Sequence, residues 1–235
     1  TLALTKTGAG TQIFSGANTY TGATTVSAGV LQIGSNGTGT TGTGAVTVQN
    51  AGTLTGTGMI QGSSFTASSG AIVQAGDGTA QSNYGTLTFQ PVSGSGSIDF
   101  QTGSTIILGI HPGSTSDRLN IVGTGTNTLL FNANLTITAD VFTPTAPEVF
   151  NLLDWSGLSS SPTFASRFTF TGYLTGNGDE ASGLDLPDIS GSGYFWDISG
   201  FKTNGTIAIV MNVPEPSRLL LLGLAMGITF FRRRR

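Results

Sequence analysis

Residues 4–33 read LTKTGAGTQIFSGANTYTGATTVSAGVLQI. Three short β-favouring runs, at residues 12–14, 24–26 and 30–33, are separated by Gly, Asn and Ser turn formers. Such punctuation predicts strand, turn, strand. The pattern continues outward: a strand, a glycine and a second apolar strand recur in VSAGVLQI (26–33), VQNAGTLTG (48–56), TASSGAIVQAG (66–76) and FQTGSTIILGI (100–110). The marker glycines Gly29, Gly52, Gly70 and Gly103 lie 23, 18 and 33 residues apart. Units of this size suit a solenoid in which each coil buries its inner face on its neighbours. Glycine at the corners permits conformations that a Cβ obstructs. The uneven spacing predicts loops of different length leaving the corners. An ordinary β-sandwich built of hairpins is the competing architecture.

The opening stretch resembles the autotransporter-associated β-strand repeat, with its TKxGxGT start, SGxNTYTGxTTV centre and AGxLQ end. Lys6, Gly8, Gly10, Thr11, Ser15, Gly16, Asn18, Thr19, Tyr20, Thr21, Gly22, Thr24, Thr25, Val26, Gly29 and Leu31 carry the likeness. The resemblance implies an all-β, right-handed parallel β-helix displayed at a cell surface. On this reading residues 1–140 form the helix, with the repeat at 4–33. Strand patterns persist at DRLNIVG (117–123) and LTIT (135–138). After Phe142 the composition shifts: Pro144, Pro147, Pro162 and Pro187 appear with both tryptophans, Trp155 and Trp196. Apolar clusters in EVFNLLDW, RFTFTGYL, GYFWDIS and GTIAIVMN predict a β-rich cap over residues 141–212 that closes the last rung. Their order also resembles the segment that precedes the sorting signal in proteins carrying these repeats.

The last 22 residues read PEPSRLLLLGLAMGITFFRRRR. Pro214 and Pro216 exclude a helix or central strand at that point, so an extended joint is expected. Residues 219–231 are thirteen uncharged, mostly apolar positions, about 20 Å as a helix against a bilayer core of about 30 Å. Counting from Ser217 with Arg218 snorkelling gives a marginal span. Arg232, Arg233, Arg234 and Arg235 then make a cytoplasmic stop that leaves the large N-terminal portion outside. A core helix would not end in four arginines. VPEPS, a short hydrophobic stretch and a terminal arginine cluster resemble the PEP-CTERM sorting signal of Gram-negative bacteria. The resemblance maps the sorting motif onto Pro214, Glu215 and Pro216. It implies an exosortase-type sorting enzyme as partner, transient anchoring in the inner membrane by residues 213–235, and delivery to the cell surface or extracellular matrix.

Composition narrows the chemistry. The 235 residues include 36 glycines, no cysteine and one histidine, and only 9% are charged. Zero Cys removes disulfide scaffolds, thiol nucleophiles and cysteinyl metal sites. A lone His111 removes HExxH proteases and leaves a Ser-His-Asp triad a single possible base. Before Pro214 there are four basic residues, Lys6, Arg118, Arg167 and Lys202, against eleven acids. Nothing there neutralises phosphates, so nucleic-acid binding is not expected. Sites of polysaccharide lyases and glycosidases cluster carboxylates with Arg, Lys or Ca²⁺; here Asp117 beside Arg118 is the one close acid-base pair, and it reads as solvated turn chemistry. The loop GNGDEASGLDLPD (176–188) offers Asp179, Glu180, Asp185 and Asp188 without the DxDxDG spacing of a calcium loop. His111 precedes Pro112 and Gly113 and reads as a turn residue. GTGTTGTG (37–44) imitates a nucleotide loop but lacks a following helix and a lysine.

No catalytic, cofactor-binding or metal-binding residue is therefore expected. The outer faces should present ladders of Thr, Ser, Asn and Gln, suited to passive display or to extracellular polysaccharide. Tyr20, Tyr84, Tyr173 and Tyr194 are scattered in sequence and define no sugar platform. The resulting expectation is a non-enzymatic, exported structural or adhesin-like protein, the C-terminal part of a longer precursor. Two other readings stand beside it. One is a carbohydrate-active enzyme or binding module with key parts upstream of Thr1. The other is a permanently anchored surface protein.

Overall fold

A computed structural model describes residues 1–35, 37–77, 84–92, 94–123, 126–139, 143–166, 168, 173–178 and 183–211. The chain is nearly all β, and among the described residues the only helix is the single turn α1 (Phe201–Asn204). Sheet 1 holds β1 (Leu4–Lys6), β3 (Thr24–Val26), β5 (Val46–Val48), β8 (Phe65–Ala67), β11 (Ser97–Phe100), β15 (Thr128–Phe131) and β19 (Thr163–Phe164), in that spatial order. Sheet 2 holds β2 (Thr11–Phe14), β4 (Gly29–Ile33), β6 (Gly52–Gly56), β9 (Ile72–Gln74), β12 (Thr105–His111), β16 (Asn134–Ala139) and β20 (Leu184–Asp185). Sheet 3 begins later, with β7 (Met59–Ile60), β10 (Thr86–Phe89), β14 (Arg118–Ile121) and β18 (Leu153–Asp154). Neighbours along all three paths pair parallel; the antiparallel partner of β12, β13 (Thr115–Ser116), stands off them. A β-sandwich is thereby excluded, since its hairpins pair antiparallel. Each pass of the chain visits sheet 1 and then sheet 2, and from β7 onward sheet 3 as well.

The corner between sheets 1 and 2 explains the glycines. Three residues after the last inward residue of the sheet-1 strand, the backbone turns left-handed: Gly29 (φ 67°), Gly70 (φ 81°) and Gly103 (φ 86°). In the second of these corners the left-handed residue is Ala51 (φ 67°), not the marker Gly52 beside it. Gly52 serves close approach instead, since a Cβ there would lie 2.5 Å from the Val26 carbonyl oxygen.

Strand alternation separates the faces. The inward column of sheet 1 runs Lys6, Val26, Val48, Ala67, Phe100, Phe131 and Phe164, one residue per pass in register. In sheet 2 the equivalent column is Gln12, Leu31, Leu54, Val73, Ile106, Leu135 and Leu184. Rings of Phe65, Phe89 and Phe100 meet at 4.7–5.6 Å across the core, and Phe100 continues to Phe131 at 5.6 Å. At the thin end, Lys6 lays its stem over this column and donates from Nζ to the carbonyls of Thr7, Gly8 and Ala28 at 2.9, 2.7 and 3.1 Å. All three of its donors are thus occupied.

The other end is covered by an antiparallel sheet of β17 (Glu148–Asn151), β22 (Thr206–Met211) and β21 (Tyr194–Asp197), with β22 central. Its inner face buries Phe150, Trp196, Ile207 and Ile209. Phe201 of α1 closes on Phe131 and Phe164 at 5.6 and 5.8 Å. Strands β18, β19 and β20 are still parallel additions to the three sheets, so coil and covering sheet interleave along residues 148–211.

Candidate functional site

The outer face of sheet 1 carries Thr5, Thr25, Thr47 and Thr66 in register on β1, β3, β5 and β8. Each inward neighbour is core, so these threonines point outward. A parallel column forms one corner later, where Ser27 Oγ donates to Gln49 Oε1 at 2.8 Å. The expected ladder of neutral hydroxyl and amide groups is therefore present over four passes, followed by Asp99 and Leu130 at the same register. The glycine-rich stretch 37–44 stacks against earlier turns. A Cβ at Gly42 would meet the Tyr20 ring at 2.5 Å, while Thr41 Oγ1 accepts from the Gln61 amide at 2.9 Å. It is a packed corner, with no open cradle for phosphate.

Asp117 departs from its expected role. Asp117 and Arg118 do not pair with each other: Arg118 faces outward and lies 4.0 Å from Asp154, a contact at the surface. Asp117 turns inward and is 6% exposed. Its Oδ1 accepts from the Gly85 amide and its Oδ2 from the Gly109 amide, both at 2.8 Å, binding together two segments that are 24 residues apart. Burial pushes its carboxyl up to about 6, against the downward pull of both amides, and the Asp77 charge adds to the rise. Asp77 Oδ1 is itself buried without a hydrogen-bond partner. Tyr84 covers the niche, donating its hydroxyl to the Ile110 carbonyl at 3.0 Å, with its ring 5.8 Å from that of His111. His111 ends β12 opposite Thr115 and is exposed, close to the turn position expected. The Asp154 carboxyl is held below the usual carboxylate range by the Ser156 amide and hydroxyl, with Arg118 contributing less.

Chemically, the niche is a carboxyl whose two oxygens are already engaged by backbone donors. It has the raised affinity for a proton that general acids need, but it is buried, with each oxygen accepting from a backbone amide. Of the acidic loop, Asp185 lies exposed on β20 and Asp188 accepts from the Ser190 amide at 2.8 Å, while Asp179 and Glu180 fall outside the described residues. Among the described residues no group of three or more His, Cys, Asp or Glu could hold a metal ion.

The tyrosines are less scattered than the sequence implies. Tyr20 bonds the buried Thr24 hydroxyl at 2.6 Å. Tyr173 meets Phe195, 22 positions away, with ring centroids 6.1 Å apart. No sequence signal links those two, since the contact depends on residue 174 bridging Trp196.

The predicted sorting residues, Pro214, Glu215, Pro216 and Arg232 to Arg235, lie outside the described residues, as does the hydrophobic segment 219–231. Among the described residues no helix is long and apolar enough to cross a membrane. What the structure places is their point of departure, Met211 at the end of β22.

Two family comparisons match. Residues 4–33 match the passenger-associated-transport-repeat, and residues 212–235 match the PEP-CTERM protein-sorting motif. The first covers the opening two passes, from β1 through β4. The second indicates an exported protein, sorted to the cell surface of a Gram-negative bacterium through an exosortase. No curated protein and no solved structure matches the chain.

Proposed function

We propose that the chain is a right-handed parallel β-helix with a β-rich cap, serving as a non-enzymatic structural or adhesin-like component of the cell surface or extracellular matrix. Its tail, residues 213–235, is an address: the apolar segment 219–231 enters the inner membrane as a short helix, and Arg232 to Arg235 hold it there. An exosortase-type enzyme then processes the chain near Pro214, Glu215 and Pro216. The observation that carries this reading is the attachment of a sorting motif directly to β22, the central strand of the sheet that covers a stack of parallel passes. Two features support the structural role. The outer face of sheet 1 offers a neutral threonine ladder, whose hydrogen bonds each net only about 0.5 to 1.5 kcal/mol against water, so that adhesion arises by repetition along a polymer. The Asp117 carboxyl, with its raised proton affinity, holds Gly85 and Gly109 together.

The test is co-sedimentation of the purified chain with extracellular polysaccharide from the producing cells, with new reducing ends assayed in the same tubes. Saturable binding without new ends is the expected result. Polymer shortening would overturn the non-enzymatic reading. Mass spectrometry of the protein recovered from the cell surface should show a C-terminus near Pro216. An intact tail with all four arginines would establish permanent anchoring instead.

A further inference from the structure

The covering sheet has a second face, polar at Asn151, Thr206 and Asp197 and apolar toward its other end. Trp196, Ile207, Ile209 and Phe150 point into the core, so alternation sends Phe195, Ala208, Val210 and Val149 outward. Pairing joins them: Phe195 stands opposite Val210, and Val149 opposite Ala208. Residue 174 adds a further edge, exchanging backbone hydrogen bonds with Trp196 at 3.1 and 2.8 Å, and so brings Tyr173 onto the same face beside Phe195. Tyr173 is 66% exposed and Val149 56%. These are two of the six large hydrophobic side chains that the described residues leave exposed, and they share this face.

We propose that this face rests on the lipid surface while the tail is inserted, with Tyr173, Phe195, Val210 and Val149 at the level of the headgroups. The inference rests on the reading of residues 219–231 as a membrane-inserted segment. Its first support is reach. Only residues 212–216 separate Met211 from Ser217, and the Cα-to-Cα steps between those two residues span at most about 21 Å when fully extended. The end of β22 is thereby kept within roughly that distance of the point where the tail enters the bilayer. Its second support is chemistry. Tyrosine and other amphipathic or apolar side chains favour the interface, where a ring meets both water and hydrocarbon. Among the described strand residues the charged side chain on this face is Asp197, which ends the row of Val149 and Ala208, and its Oδ1 accepts from the Ser199 amide at 3.0 Å. A polysaccharide is the less suitable occupant. The rings of Tyr173 and Phe195 are inclined at 51° to each other and form no flat platform for a sugar ring.

The experiment uses the absence of cysteine from the chain. Single variants Tyr173→Cys, Val149→Cys, Ala9→Cys and Ala225→Cys of the full chain are labelled with a polarity-sensitive fluorophore and reconstituted into phosphatidylcholine and phosphatidylglycerol vesicles. Lipids brominated near the headgroup or deep in the chain act as quenchers. The labels at 173 and 149 should be quenched at least twofold more by shallow bromines than the label at 9, and the label at 225 by deep bromines. Both cap positions are exposed, so the substitutions leave the core intact. Quenching at 225 with labels 173 and 149 no different from label 9 would overturn the proposal and leave the inserted tail standing. No quenching at 225 would overturn the inserted tail, and the proposal with it. A response of label 173 to soluble polysaccharide but not to vesicles would reassign the face to sugar and equally overturn it.

Discussion

Asp117 makes stability depend on pH in a direction opposite to that of most carboxylates. Folded, the group holds its proton up to about pH 6, whereas its ordinary value is 3.8. The unfolded chain therefore binds fewer protons between these values, and stability falls as pH rises through that window. The contribution is fully present below 3.8 and is lost as pH passes 6. A separation of about two pH units at roughly 1.36 kcal/mol each gives about 3 kcal/mol, a large part of the stability of a typical domain. Desolvation is the leading cause, and the residue is 6% exposed, so solvent screening takes little from the figure. Asp154 acts in the other direction, but its carboxyl is held below 3.8, so its stabilisation is lost only at lower pH. The assay is urea unfolding of the chain, followed by fluorescence of the buried Trp196, at half-unit steps from pH 4 to pH 7. The midpoint should fall from pH 4 to about pH 6 in the natural chain and level off above it. In Asp117→Asn, which has no titrating group at the position, the slope should vanish. A flat or rising midpoint in the natural chain, or the same slope in the variant, would refute the reasoning.

Two further perturbations probe the corners and the core. Ala51→Gly should be neutral or stabilising by up to about 1 kcal/mol, because it relieves a left-handed alanine at φ 67°. Gly70→Ala should destabilise by more than that, since it meets both φ 81° and the Asn50 side chain 2.3 Å from the new Cβ; equal midpoints for Gly70→Ala and the natural chain in the same urea titration would count against this account. Phe100→Ala removes a ring that touches those of Phe65, Phe89 and Phe131. It should cost about 3 to 5 kcal/mol, and a loss below about 1 kcal/mol would show that the aromatic column collapses to fill the gap.

The coil repeat was legible because it depends on local chemistry: a short apolar run, a corner that needs a left-handed residue, and another run. The limit of that legibility shows at Gly52, where the neighbouring Ala51 takes the left-handed position and glycine is required for a different reason, the closeness of Val26. Sheet 3 was legible as a strand at β14, within DRLNIVG, but not as a separate sheet. Two of its strands, Met59–Ile60 and Leu153–Asp154, have two residues each, too few to show a period. The adjacency of Asp117 and Arg118 misleads because consecutive residues in extended chain point to opposite sides. The partners Asp117 actually acquires, at Gly85 and Gly109, are set by how passes stack. The same holds for Tyr173 and Phe195. The tail was legible for the opposite reason, since its proline joint, apolar run and arginines are contiguous and need no fold to bring them together.

The inward column of sheet 1 gives the molecule two unlike ends. From Lys6 through Val26, Val48 and Ala67 the buried side chains are small or polar, and the first two passes have only two sheets. From Phe100 through Phe131 to Phe164 they are aromatic, a third sheet is present, and Phe201 and Trp196 seal the end. Burial of apolar area stabilises in proportion to its extent, about 25 cal/mol per Å², and in a stack each pass gains only from its neighbours. Cohesion is therefore concentrated toward the covering sheet. Its central strand, β22, is the one that leads into the sorting motif, so the tail leaves from the best-packed part of the fold. The residues matching the transport repeat form the thinner end, where an ammonium group, rather than apolar side chains, closes the first pass. A tail pulled toward a membrane thus bears on the wide aromatic core, while the threonine ladder of sheet 1 occupies the passes farthest from it.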